Sequence, residues 1–162
     1  MTGNPPPAFH PVKPASHRRL PAWLLLLSSG SVLLVLALLP QASHPDNNLV
    51  PVVRTARLTR TVLSAPQPVH HPAFRYFLVQ VVGNVLAFVP IGASLGVLLD
   101  RGRVGDSLVR ALAASALMSL CIELVQLALP SRATDVDDLL LNVLGAAIGS
   151  LFAVSWLHRS NR

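Results

Sequence analysis

The chain has 162 residues, of which 52% are hydrophobic and only 12% charged, and its formal net charge is +6. Soluble domains carry about a quarter charged residues, so this composition is too poor in charge for a surface that faces water on all sides. The thirteen basic residues are scattered between apolar runs without an aromatic-interleaved basic face, which argues against a nucleic-acid-binding module.

In chain order, residues 1–20 hold Pro5, Pro6, Pro7, Pro11 and Pro14 and cannot build a core, so a disordered basic tail is expected there. The first apolar run extends from Ala22 to Leu39 and is closed by Pro40. Crossing a ~30 Å hydrocarbon layer takes about 20 helical residues, and residues 21–40 supply a first transmembrane helix. A signal peptide's apolar region spans about 7–15 residues; this run is longer, and Pro40 and Gln41 make a poor cleavage site, so the helix is expected to be retained. Residues 41–75, rich in Pro, His and Arg, read as an extracytoplasmic loop. Within it NLVPVVRTARLTRTVL suggests a short amphipathic or re-entrant piece. His70 and His71 fall in this loop, and no metal site is expected from them.

Three further apolar runs, Tyr76 to Leu99, Leu108 to Leu129 and Asp138 to Leu157, form a three-helix core over 76–157, followed by a short tail at 158–162. None alternates as a membrane β-strand would, so the predicted class is all-α, a polytopic membrane protein with four transmembrane helices in a small bundle. The lone Cys121 lies inside an apolar run and reads as a buried small hydrophobe. With the N-terminus inside, inner segments hold Lys13, Arg18, Arg19, Arg101, Arg103, Arg110, Arg159 and Arg162, against Arg54, Arg57, Arg60, Arg75 and Arg132 outside. The basic-residue bias therefore favours cytoplasmic N- and C-termini.

Polar residues inside the spans are costly unless they face a partner or a wet cavity. At about 100° per residue, Asp135, Asp138, Asn142, Gly145 and Gly149 share one face of the fourth helix, while Leu140, Leu144, Ile148 and Leu151 lie opposite. On the third helix Ser115, Ser119, Glu123 and Gln126 form a stripe. The short PSRATDVD loop makes these two helices an antiparallel hairpin. Glu123 then lies ~9 Å below its helix end and Asn142 ~6 Å beyond Asp138, at similar depth. Arg132 sits above them in the loop, within reach of the carboxylates. Gln80 and Asn84 share a face of the second helix, with Asn84 ~12 Å below Tyr76. Gly92, Gly96, Gly145 and Gly149 are spaced for close helix packing, and Pro90 is expected to kink the second helix. Asp137 is expected to cap the fourth helix, and Thr134 with Asp137 resembles a capping box. For Glu123 two readings stand: a structural salt bridge to Arg132, or a site that handles a ligand, a headgroup or a proton.

GNVLAFVPIG, SLCIELVQ and SRATDVDDLLLNVLGAAIG, in that order, resemble the VanZ-like membrane proteins. The matching positions are Asn84, Phe88, Pro90 and Gly92, then Ile122, Glu123 and Gln126, then Arg132, Asp135, Asp138, Asn142, Gly145 and Gly149. NLVPVVRT, from Asn48 to Thr55, is similar to the family's Asn-Leu-Pro-Phe segment, with Val52 where Phe is usual. The resemblance covers roughly residues 47–157. It implies a protein of the bacterial plasma membrane and cell envelope, in a family named for a member that gives low-level resistance to the glycopeptide teicoplanin.

Two functions are compatible with these residues. The favoured one is a non-enzymatic envelope protein whose polar pocket, lined by Asn84, Glu123, Gln126, Arg132, Asp135, Asp138 and Asn142, binds a lipid headgroup, a cell-wall precursor or a glycopeptide without a cofactor. Alternatively, a small membrane enzyme would use Glu123, Asp135 and Asp138 as acid/base groups or cation ligands on a lipid-linked substrate. No HExxH, nucleophile elbow or P-loop is present. The glycine stripes suit an intramolecular bundle as well as a dimer, so the oligomeric state is not fixed by the sequence.

Overall fold

A computed structural model describes residues 16–39, 48–129 and 134–160. These form six α-helices: α1 (Ser16–Leu38), α2 (Val53–Leu63), α3 (Pro72–Phe77), α4 (Asn84–Leu98), α5 (Val104–Leu127) and α6 (Val136–Arg159). A π-helical stretch, Leu78–Gly83, joins α3 to α4 without a break, so Pro72–Leu98 is one long element. Four segments, Arg18–Leu38, Pro72–Leu98, Val104–Leu127 and Val136–Arg159, are long and apolar enough to cross a membrane. The protein is a multi-pass, all-α membrane protein.

Against the expected bounds, α1 starts earlier, at Ser16, and α6 starts two residues earlier, at Val136, and runs on to Arg159. The amphipathic piece expected in the first loop is α2. The expected tail residues 1–15 lie outside the described residues, as does the stretch 40–47 that opens the first loop.

The arrangement follows from which helix faces carry small residues. α4 sits centrally, packing on α1, α5 and α6. A methyl group on Gly145 would lie 2.1 Å from the Val85 carbonyl oxygen, and one on Gly149 1.9 Å from that of Val89. From the other side a methyl on Gly92 would lie 2.1 Å from the Ala146 carbonyl oxygen. The two backbones therefore touch, the close approach that small residues permit in membranes. Phe88, Ile91 and Ala146 form the buried centre, with Leu33, Met118 and Ile122 against it. Two buried serines are met within their own helices: Ser94 of α4 donates to the Pro90 carbonyl (2.7 Å) and Ser115 of α5 to that of Ala111 (2.8 Å).

The outer surface of the spans is apolar. Leu24, Leu27 and Leu34 of α1 are exposed, and so are Leu140, Leu144, Ile148 and Leu151 of α6, the side its spacing sets opposite the polar face. Cys121 corrects one expectation: it is exposed, not buried. Ser119 and Glu123 of α5 are buried, and a residue two positions from each lies ~200° around the helix.

Pro90 lies within α4, which continues through it to Leu98. The departure from α-helical hydrogen bonding falls earlier, at Leu78–Gly83. At the far end of the bundle, Asp100 accepts hydrogen bonds from the Ser107 hydroxyl (2.6 Å) and pairs with His158 Nε2 (3.0 Å), fixing the α4–α5 turn to the end of α6. Arg18 stacks over Trp156, 5.1 Å from the ring centroid, and donates to Ser160 Oγ (3.0 Å), which fixes the start of α1 to the same end.

Candidate functional site

The polar groups collect at the opposite end, where α6 begins. Asp135 is the N-cap of α6: its backbone is extended, and its carboxylate accepts from the Asp137 N–H (2.9 Å). The same carboxylate accepts from Asn48 Nδ2 (2.7 Å) and pairs with the Arg54 guanidinium (2.9 Å). Its backbone N–H in turn donates to Glu123 Oε2 on α5 (3.1 Å). One residue thus joins α2, α5, α6 and the strand-like segment before α2. That segment is also held by main chain: Asn48 N–H donates to the Thr134 carbonyl and Val136 N–H to the Asn48 carbonyl, each at 3.0 Å. They make an isolated parallel bridge between Asn48 and Asp135.

The expected capping box is corrected. Thr134 Oγ1 donates to the Glu123 carbonyl (3.5 Å), so Asp135 takes the cap position of α6. Asp137 does cap a helix, though not its own. Its carboxylate accepts from the N–H groups of Val52 and of Thr55 (2.7 Å), closing the N-terminus of α2. Val52 stands at φ 68°, a left-handed conformation that a β-branched residue adopts only when its surroundings hold it there. The Asp137 carboxylate is one such restraint. It sits where α2's dipole favours negative charge, and burial at 3% exposure strengthens the interaction.

Beneath this knot lies a cavity of about 580 Å³, a size usual for small-ligand sites. Its polar wall is Arg54, Gln80, Asn84, Glu123, Gln126, Asp135, Asp138 and Asn142; its apolar wall includes Leu33 and Leu36 of α1, Val79 of the π-helical stretch, Phe88 of α4 and Ile122 of α5. Six of the seven residues singled out from the sequence therefore line one cavity. The seventh, Arg132, lies outside the described residues, and so does any pairing it makes with Glu123. The stripe Ser115, Ser119, Glu123 and Gln126 is buried, as its spacing requires. Gln126 donates to the Ala37 carbonyl at the end of α1 (3.3 Å). Asn142 donates to Ser119 Oγ (2.9 Å), while its Oδ1, and Nδ2 of Asn84, are buried without a hydrogen-bonding partner among the described residues.

Asn48, Arg54 and the outward reach of Asp137 are not evident from helical periodicity. The spans fix angle and depth within a helix, whereas these contacts depend on the path of the first loop. The available signal was the NLVPVVRT segment, which holds both Asn48 and Arg54. The π-helical stretch, next to Gln80 and Asn84, had no sequence signal beyond Gly83; such irregularities are frequent at functional sites. Among the described residues no three His, Cys, Asp or Glu side chains are placed to hold a metal ion.

Comparison with known proteins places these features in a family. Neither curated proteins nor solved structures include a significant match. The sequence model of VanZ/LLP1 matches residues 21–157, taking in most of α1 as well as the motif-bearing part of the chain. With most of its length matched, and Asn84, Glu123, Asp135, Asp138 and Asn142 gathered around one cavity, the chain belongs to the VanZ/LLP1 family.

Proposed function

We propose that this protein is a non-enzymatic component of the bacterial plasma membrane that binds an envelope amphiphile in its polar cavity, with both termini cytoplasmic and the cavity in the outer leaflet. The observation that carries this reading is the cavity's division of labour. One wall presents carboxylates, amides and Arg54, and the other presents the aliphatic side chains of α1, α5 and the π-helical stretch. A molecule with a hydrogen-bonding head and an apolar tail matches both walls. Leaving Asn142 Oδ1 and Asn84 Nδ2 unmet costs about 1–3 kcal/mol each, which a hydroxyl or amide on the head, donating to Oδ1 and accepting from Nδ2, would offset. A lipid headgroup and a lipid-linked cell-wall precursor both have this character. A glycopeptide such as teicoplanin, which carries sugars and an acyl chain, is a third member of the class, and binding it would connect the protein to resistance.

The test is binding by the purified chain, followed by native mass spectrometry, with phosphatidylethanolamine, phosphatidylglycerol, a polyprenyl-linked cell-wall precursor and teicoplanin as probes. The expected result is retention of one probe by wild type, and at least ten-fold weaker retention by Asn142→Ala and Glu123→Gln, since a hydrogen bond to a charged group is worth about 1.5–3 kcal/mol. Equal retention of every probe by folded wild type and variants overturns the reading. Turnover of the precursor that disappears in Glu123→Gln and Asp138→Asn would replace it with the enzymatic one.

A further inference from the structure

The segment that roofs the cavity has a second face. From Asn48 to Arg75 the chain carries Arg54, Arg57, Arg60 and Arg75 and no Asp or Glu. Arg54 is committed to Asp135, whereas Arg57, Arg60 and Arg75 are exposed. In α2 the two groups separate by angle: Val62 is buried and Leu58 partly so, while Val53, Ala56, Arg57 and Arg60 face outward. Leu63, at the end of the helix, is 74% exposed. The helix therefore has an inner face packed on the protein and an outer face that mixes cations with apolar side chains.

Position decides what that outer face meets. α2 packs on α3 and α6, the starts of two membrane-spanning segments. Its N-terminus is capped by Asp137, the second residue of the fourth span. α2 thus lies at the membrane boundary and not free in solvent. The headgroup zone extends ~5–8 Å beyond the hydrocarbon on each side, within reach of an arginine whose apolar stem lies along the interface. A basic helix with exposed aliphatic side chains at that level suits anionic lipid, and the guanidinium fork pairs with phosphate in a bidentate manner.

We propose that α2 and α3 grip anionic phospholipid headgroups through Arg57, Arg60 and Arg75. This surface is distinct from the cavity and does not depend on what the cavity binds.

The test uses the full chain reconstituted in vesicles of phosphatidylcholine alone or of an equimolar phosphatidylglycerol–phosphatidylcholine mixture. An environment-sensitive fluorophore on Leu63→Cys, in a Cys121→Ser background, reports the seating of α2 without altering any arginine. Its emission should shift to the blue in the anionic vesicles, and high salt should reverse the shift by screening. Lipid retention by native mass spectrometry should favour phosphatidylglycerol. Each arginine replaced by glutamine should lower that preference about five-fold, and Arg57→Lys with Arg60→Lys should keep most of it. Identical emission in the two vesicles, or equal retention of the two lipids, overturns the proposal and leaves a soluble acidic partner as the occupant of this face.

Discussion

Replacement of Gly149 by alanine tests the packing on which the cavity rests. The added methyl would fall 1.9 Å from the Val89 carbonyl oxygen, 2.8 Å from its carbon and 2.9 Å from the Ala93 nitrogen, all of them backbone atoms of α4. No side-chain rotation relieves such a clash, so α4 and α6 must separate by roughly 2 Å to restore ordinary contact at about 3.5–4.0 Å. A gap of 0.5–1 Å already forfeits a quarter to a half of each dispersion contact it opens, and overpacking of this kind costs about 1–3 kcal/mol. We expect a loss of about 3 kcal/mol, because the close contact runs from Val85 to Gly96 along most of α4. Gly145→Ala meets the Val85 carbonyl oxygen at 2.1 Å and should cost about as much. The double variant should cost clearly less than the sum, because the second methyl enters a space the first has opened. The assay is reversible unfolding of the purified protein in mixed micelles with increasing SDS, with Gly105→Ala as control, since nothing lies within 4 Å of a methyl there. A Gly149→Ala protein within about 0.5 kcal/mol of wild type, or strict additivity in the double variant, would refute the backbone contact as the cause.

Two further outcomes follow from contacts outside that interface. Asp137→Ala removes the acceptor of two backbone N–H groups at the start of α2; at about 1.5 kcal/mol or more for each charge-assisted bond, residues 52–58 should exchange amide hydrogens at least a hundred-fold faster, and unchanged exchange would show that the cap is unimportant. Cys121, exposed on the surface of α5 within a span, should resist a charged maleimide in sealed vesicles and react once the protein is denatured in SDS, because a charged reagent is excluded from hydrocarbon; rapid labelling of the native protein would place it in water.

The sequence makes the interior of the bundle legible and its rim much less so. Inside the hydrocarbon a helix has few alternatives, so 100° per residue suffices to put Ser115, Ser119 and Glu123 inward and Leu144 and Ile148 outward. The same rule groups Glu123, Asp138 and Asn142 around one cavity. The expectation of a buried Cys121 rests on its apolar run alone, which does not announce which face is buried when both lipid and protein are apolar; the angular rule itself sets it about 200° from Ser119 and Glu123, on the outside. Spacing alone misses Asp137's role, because an acidic residue at a helix start satisfies capping rules whether it serves its own helix or a neighbour's. Arg54 reads as one more topology charge until the first loop's path places it on Asp135. These groups lie where water, headgroups and main chain compete, and there side-chain spacing no longer dictates the partner.

The bridge between Asn48 and Asp135 also orders the protein's assembly in time. During synthesis the N-terminal parts of a chain emerge and begin to fold first, yet the N-cap of α2 belongs to a residue 82 positions later than Thr55. The main-chain partners of Asn48 lie equally far along. Until α6 has inserted, the segment between the first two spans has no acceptor for its leading N–H groups and no partner for Arg54 at Asp135. The roof of the cavity is therefore completed last, and a chain truncated before α6 would carry three spans without a closed cavity.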